Sequence, residues 1–443
     1  MSLTEQSLRA ILNILRNNYD EVSIKAIVSE KVMVKLWNSE PSVAQTWLTT
    51  SLELRLAKNQ RIFVLEFSST DPQKILKNIE NLRALADRVE ESELYTKLPE
   101  PTKITPLPDM FDKRIVESMQ DLSKPVEAML NGVVKHKVDR VAGTLLLAKE
   151  RKMLLSSNGF EGDETKTWVE AYLRAFKGEF SGHWAHGSTR LDLAELERVG
   201  EKASYYANIT DKKADFTPGR YNAILSPLVV GNLVNYVSFM ASALYVMLGY
   251  SMFLKYKIGD RLGSDHVSIY DRPRDTSLPH ATAFDDEGVE TRDKAIIENG
   301  VVTNLLHNSA TASKMSSPLT GNAGWLVPRA WNLEVGAGDL KEDELAEIIG
   351  NGIIITNNWY TRLQNYVEGQ FSTVSRDATL LVRNGEIVGH VGRIRISETF
   401  PSLLSKIIGA TRERYDVQWW EVRIPTRAPY YVAENIMLTR PEI

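Results

Sequence analysis

The sequence predicts an α+β chain, an N-terminal α+β region followed by a strand-rich, barrel-like C-terminal domain around a buried apolar helix. Three observations carry that prediction. Apolar runs with a period of two alternate with amphipathic helical runs through the first hundred residues. The stretch from Tyr221 to Leu254 holds 34 residues without one Asp, Glu, Lys, Arg or His. Beyond it, two segments repeat the form apolar run, Asn-Gly, apolar run, which is the strongest short hairpin signal.

In chain order, Ser2 with Glu5 reads as a capping box for an amphipathic helix bearing Leu8, Ile11, Leu12 and Leu15. Strands follow at Val22–Val28, Val32–Leu36, Leu52–Leu56 and Ile62–Phe67. Asp71 and Pro72 then start a helix whose apolar face is Ile75, Leu76, Ile79, Leu82 and Val89. Pro99, Pro101, Pro106 and Pro108 close this unit, because neither a helix nor a central strand accepts that density of proline. The expected domains are therefore 1–105, 106–216 and 217–443. The second is read as a helical stretch through Ile115, Val116, Met119 and Leu122, a hairpin around Ala148 to Lys152, a strand near Trp168 to Phe176, and a helix carrying Leu193, Leu196 and Val199.

The uncharged stretch opens the third unit. About 20 apolar residues suffice to cross a bilayer, but Asn232, Asn235, Ser238 and Ser242 fall on one helical stripe there. Buried amides are expensive in lipid and cheap beside protein partners, so a central helix inside a globular domain is expected and no membrane span. The hairpins centre on Asn299-Gly300 and Asn384-Gly385. Asp339 with Glu342 is expected to cap a helix through Leu345, Ile348 and Ile349, and Thr399 to Gly409 repeats that start-and-stop pattern.

Composition narrows the chemistry. At 443 residues the chain has room for about three domains of ordinary size. Its 43% apolar and 25% charged residues are globular values. Lys plus Arg number 53 against 57 for Asp plus Glu, a net charge of −4 that offers phosphate backbones no general attraction, so no nucleic-acid partner is expected. The absence of cysteine excludes thiol nucleophiles, disulfides and Cys-built metal sites. Met1 to Arg16 lacks a basic-then-apolar signal pattern, and the expected location is cytoplasmic.

No phosphate-binding G-x-x-x-x-G-K-[ST], no G-x-G-x-x-G, no G-x-S-x-G and no H-E-x-x-H occurs. Among seven histidines only His183 and His186 are paired, at a spacing that would share one side of a helix or tight turn, with no third ligand nearby. They are read as residues of a polar loop, so no metal ligand is assigned. Asp285, Asp286 and Glu287 before Gly288 are read as a solvated loop or a structural salt-bridge site, since their spacing is not that of a calcium loop. Trp419 and Trp420, near Tyr415, Tyr430 and Tyr431, read as core or interface.

Several motifs nevertheless form a recognisable series. Gly219-Arg220-Tyr221-Asn222 leads to Ser226-Pro227, followed by Ala283-Phe284-Asp285-Asp286-Glu287-Gly288, Ile297-Glu298-Asn299-Gly300-Val301 and Thr320-Gly321-Asn322-Ala323. In order and spacing this resembles the TldD/PmbA family, also called modulators of DNA gyrase, over most of residues 107 to 440. Catalytic members of that family carry H-E-x-x-x-H on the central apolar helix and a cysteine ligand near the C-terminus. Here Leu233 to Ala241 reads Leu-Val-Asn-Tyr-Val-Ser-Phe-Met-Ala, with no His, Glu or Asp in any register, and cysteine is absent throughout. The chain thus resembles the TldE (PmbA) branch. The resemblance implies a subunit without catalytic residues or cofactor of its own, joined to a zinc-bearing TldD-like partner as a peptidase of small or unfolded polypeptides. The alternative is a stand-alone homo-oligomer, such as a homodimer, that binds peptides without hydrolysing them. Asn232, Asn235, Ser238 and Ser242 are the residues expected to line the inner cavity.

Overall fold

The computed structural model describes residues 5–67, 71–86 and 89–441. Its first sheet is built from long antiparallel strands, β1 (Glu21–Trp37), β2 (Glu40–Lys58), β3 (Arg61–Phe67), β4 (Arg140–Ser156), β5 (Glu161–Lys177) and β6 (Phe180–Ser188). They are ordered β3-β2-β1-β4-β5-β6, so strands from both sides of the proline-rich stretch share one sheet. The two apolar runs at Val22–Val28 and Val32–Leu36 are one strand, since Ser29-Glu30-Lys31 between them contains no Gly, Pro, Asn or Asp.

The hairpin expected at Ala148–Lys152 is absent, because those residues lie within β4. Their charges are carried by neighbours on β5: Lys152 meets Glu164 at 2.8 Å, and Arg151 pairs with Asp163. The turn falls instead at Ser157-Asn158-Gly159, where Gly159 adopts φ 96° and the Asn158 side chain accepts the Phe160 N–H at 3.1 Å.

One face of this sheet buries Leu8, Ile11 and Leu15 of the first helix, Glu5–Leu15, with Ile75 and Ile79 of the helix Pro72–Ala86. Asp71 starts that second helix by accepting the Gln73 N–H at 3.0 Å. Ser2 and the Leu82 side chain lie outside the described residues, and Val89 lies beyond the helix and is exposed. Further along the same face, whose parity continues from Ile24 and Ala26 to Val34 and Leu36 on β1, pack Lys113–Ser118, Ser123–Val133 and Leu193–Asn208. The expected continuous helix through Leu122 is thus two helices, interrupted between Ser118 and Ser123.

The C-terminal half holds a six-stranded and a nine-stranded sheet. In the larger, β7 (Gly219–Leu225) runs parallel to Gly352–Ile355 and antiparallel to Tyr431–Thr439. The smaller ends on the hairpin Tyr415–Trp419 and Val422–Ala428. The uncharged stretch is therefore not one long helix. It begins in β7, breaks at Ser226-Pro227, forms the central helix Pro227–Met240, and continues as the short helix Ala243–Met247 and a 3-10 turn at Met252–Leu254. Ser226 sets the break: its hydroxyl donates to the Thr356 carbonyl at 2.6 Å and caps the helix at the Val229 N–H. Among the described residues no helix is long and apolar enough to cross a membrane.

Both Asn-Gly turns take the left-handed backbone of a tight hairpin, with φ 47° and 77° at Asn299-Gly300 and 50° and 80° at Asn384-Gly385. The helix Leu345–Ile349 differs at its start, where a 3-10 turn at Glu342–Glu344 follows Lys341 and Asp339 caps nothing. Its last residue is Ile349, and Gly350 follows as the C-cap. Thr399 does cap its helix, accepting the Ser402 N–H at 3.2 Å, but the helix ends at Ser405 and Gly409 lies in the next strand.

Two glycines fix how the helices of the middle region cross. A methyl group on Gly200 would run into the Met129 carbonyl, and one on Gly132 into the Glu197 carbonyl, so the helices touch through backbone. Gly200→Ala is expected to cost about 1–3 kcal/mol by overpacking, read as a lowered midpoint of urea denaturation. An unchanged midpoint would show that the crossing tolerates displacement.

Candidate functional site

The central helix is the place to ask what chemistry this chain can do. Asn232 and Ser238 are buried, and so is Ser242 just beyond its end; Asn235 is half-buried. Asn232 donates from Nδ2 to the Glu421 carbonyl at 2.8 Å, and its Oδ1 accepts from Asn358 Nδ2 at 2.8 Å and Thr361 Oγ1 at 2.7 Å. Asn235 Oδ1 accepts the Ile424 N–H at 2.8 Å, while its Nδ2 donates to Thr426 Oγ1 at 3.0 Å and to the Ile424 carbonyl at 3.2 Å. Both amides therefore bind the helix to the hairpin Tyr415–Ala428, and Asn232 also binds it to the strand Asn358–Asn365. Ser238 donates back to the Asn235 carbonyl at 2.9 Å. Ser242 stands in the break before the next helix, its hydroxyl buried and without a hydrogen-bond partner among the described residues.

Between Leu233 and Ala241 the helix brings no imidazole or carboxylate to this position. Glu421 is the acid that reaches its N-terminal half, with Oε2 at 3.5 Å from Asn232 Nδ2 and Oε1 accepting the Tyr360 N–H at 3.3 Å. Burial raises its pKa above the ordinary carboxylate value. A tetrahedral zinc site needs several converging N, O or S ligands. Among the described residues no three His, Asp or Glu side chains gather for a metal, so the donor set does not fit one.

His183 and His186 lie on β6, not in a loop. At a period of two, residues three apart point to opposite faces, so the pair cannot share an ion. His183 lies opposite Arg174 on β5, its ring 4.3 Å from that of Trp419, and both ring nitrogens lack partners among the described residues. Burial pushes its pKa down to about 3, leaving a neutral ring at pH 7. Trp419 is core, whereas Trp420 is half exposed.

The acidic turn is buried rather than solvated. Lys25 of β1 places its ammonium 2.9 Å from Asp286 and 2.8 Å from Glu53. Asp285 accepts three backbone N–H groups, from Glu287, Val289 and Ala323, at 2.9–3.0 Å. Burial and the neighbouring Glu287 push its pKa up to about 8, against those donors. Glu287 holds the start of the helix Ser309–Lys314 through the Ser309 N–H and hydroxyl, both at 2.8 Å. This motif therefore joins the first sheet to the C-terminal half. Its key partner, Lys25, is 261 positions from Asp286 in sequence.

A separate open cavity of about 660 Å³ is lined among others by Arg174, Phe180, Arg376, Asp377 and Arg393. Its floor is the buried pair Arg174–Asp377 at 2.7 Å, with Ser181 and Asn357 each donating to Asp377 at 2.8 Å. Sequence reasoning missed this site because its arginines come from strands and loops distant in sequence, with no motif to mark them.

If the two amides hold the helix, Asn232→Ala should leave Asn358 and Thr361 without their buried acceptor and cost about 1–3 kcal/mol, measured by chemical denaturation. An Asn232→Ala chain as stable as the parent would contradict the anchoring.

Comparison with known proteins agrees with this architecture. Residues 218–440 match the PmbA/TldA metallopeptidase C-terminal domain, and residues 105–209 match the PmbA/TldA metallopeptidase central domain. The chain is 29% identical over 276 residues to a metalloprotease of Methanocaldococcus jannaschii, covering 59% of each chain. It is 30% identical over 246 residues to a metalloprotease of Methanothermobacter thermautotrophicus, covering 52% of each. The match thus spans little more than half the length of these relatives. Among solved structures, TldE from Thermococcus kodakarensis superposes with a TM-score of 0.85 at 20% identity, covering 98% of this chain and all of that one. Taken with the mixed α+β architecture and its curled sheets, these matches place the chain in the PmbA/TldD family.

Proposed function

We propose that this chain is the TldE-like, non-catalytic subunit of a heteromeric zinc-dependent peptidase, acting with a TldD-like, metal-bearing partner on small or unfolded peptides. The observation that carries the reading is the central helix. Where a catalytic subunit of such an enzyme would present ligands, this helix presents Asn232 and Asn235, whose hydrogen bonds are taken up inside the fold. A general base or a metal-bound water needs an imidazole or carboxylate there, and the segment Leu233–Ala241 supplies neither. Family membership and the metalloprotease names of the relatives support a peptidase context for a chain that has no catalytic set of its own.

The alternative, a homo-oligomer that binds peptides alone, draws on the open cavity in this chain. Mixing decides between them. Peptide cleavage is measured for this chain, for a family member carrying H-E-x-x-x-H from the same organism, and for both together, with molar mass by light scattering. The proposal expects a hetero-oligomer and cleavage dependent on the second chain. A chain that never joins the other, yet forms homodimers and binds peptides, would establish the alternative. Cleavage by this chain alone would overturn both.

A further inference from the structure

The 660 Å³ cavity is unusual in how its charges are spent. Arg174 is held by Asp377, Lys213 by Glu179 at 2.6 Å, and Arg440 by the carbonyls of Val391 and Arg393. Among the described residues, the guanidinium groups of Arg376 and Arg393 have neither an ion pair nor a hydrogen bond. Instead both face one indole: Arg376 lies 5.0 Å and Arg393 5.9 Å from the Trp359 ring centroid, and Arg376 is also 5.8 Å from Trp420. The Trp359 Nε1 is buried without an acceptor among the described residues. Two like charges thus converge in the lining of the cavity, which Phe176 and Phe180 share. Burial, with Arg174 and Arg393 close by, holds the Arg376 pKa below its ordinary value. Glu421 acts on Arg376 through space from beyond ion-pair distance, its Oε1 already bonded to the Tyr360 N–H.

We propose that Arg376 and Arg393 bind the terminal carboxylate of a short peptide whose last side chain is apolar and rests against Phe176 and Phe180 of the cavity lining. A planar carboxylate fits guanidinium forks. The acids already lining the cavity, Glu179, Asp215 and Asp377, oppose a dianion more than a monoanion, which favours carboxylate over phosphate. The rings of Phe176 and Phe180 suit an apolar residue next to the charge. This rests on the peptide-handling part of the proposed function, and it holds whether or not a partner supplies the hydrolysis.

The test titrates the full chain with a tetrapeptide ending in leucine, as the free acid and as the C-terminal amide, following tryptophan fluorescence and calorimetry. The free acid should bind, with the amide about tenfold weaker. Arg393→Gln, at an exposed position, and Arg376→Gln should each remove that preference, with thermal melts confirming the fold. Equal binding of acid and amide would overturn the carboxylate site while leaving peptide handling intact. Binding of neither form, with or without the partner, would remove the peptide reading itself. Inorganic phosphate that competes with the acid and depends equally on both arginines would replace the proposal with a general anion site.

Discussion

A helix without charge can be buried at little cost only if every polar group on it finds a partner, and that condition organises the C-terminal half of this protein. Asn232 donates to the Glu421 carbonyl of the hairpin Tyr415–Ala428, and Asn235 exchanges hydrogen bonds with the Ile424 backbone and the Thr426 hydroxyl. Asn232 additionally ties in Asn358 and Thr361. Gly231 lets the hairpin approach, since a methyl group there would sit 3.0 Å from Val417 and 3.2 Å from Val422. The same contacts bring Glu421 to the N-terminal half of the helix.

A second constraint joins the halves of the chain. The turn Asp285-Asp286-Glu287 would be costly to bury by itself. It is tolerable because Lys25 supplies a cation, backbone N–H groups converge on Asp285, and Ser309 caps Glu287. The first sheet and the C-terminal region therefore require each other. Lys152 of β4 strengthens the join by donating to the Phe284 carbonyl at 2.9 Å.

Much of this was legible in the sequence where the physics is local. Alternating runs gave the strands of the first sheet, Asn-Gly gave both hairpins, and Asp71 and Thr399 gave helix starts. Reading failed where a distant partner decides. Ala148 to Lys152 reads as a hairpin because the cross-strand acids on β5 that pair with Arg151 and Lys152 are not visible as neighbours in sequence. The acidic turn allowed a solvated loop because Lys25 lies in another part of the chain. His183 and His186 suggested one shared face only if helical, and β6 separates them. The four polar residues on and just after the central helix share a stripe legible in the sequence, but the partners of Asn232 and Asn235 come from hairpin and strand segments far along the chain. Arg376 and Arg393 carried no signal at all, because only the sheet brings them to one indole.

The central claim of the account is that amides occupy the helix where a catalytic subunit would hold metal ligands. Zinc binding to the isolated, metal-stripped chain, followed by calorimetry and elemental analysis at neutral pH, addresses it most directly. The account predicts no stoichiometric zinc. One tightly held zinc per chain, lost on Asn232→Ala or Asn235→Ala, would contradict it.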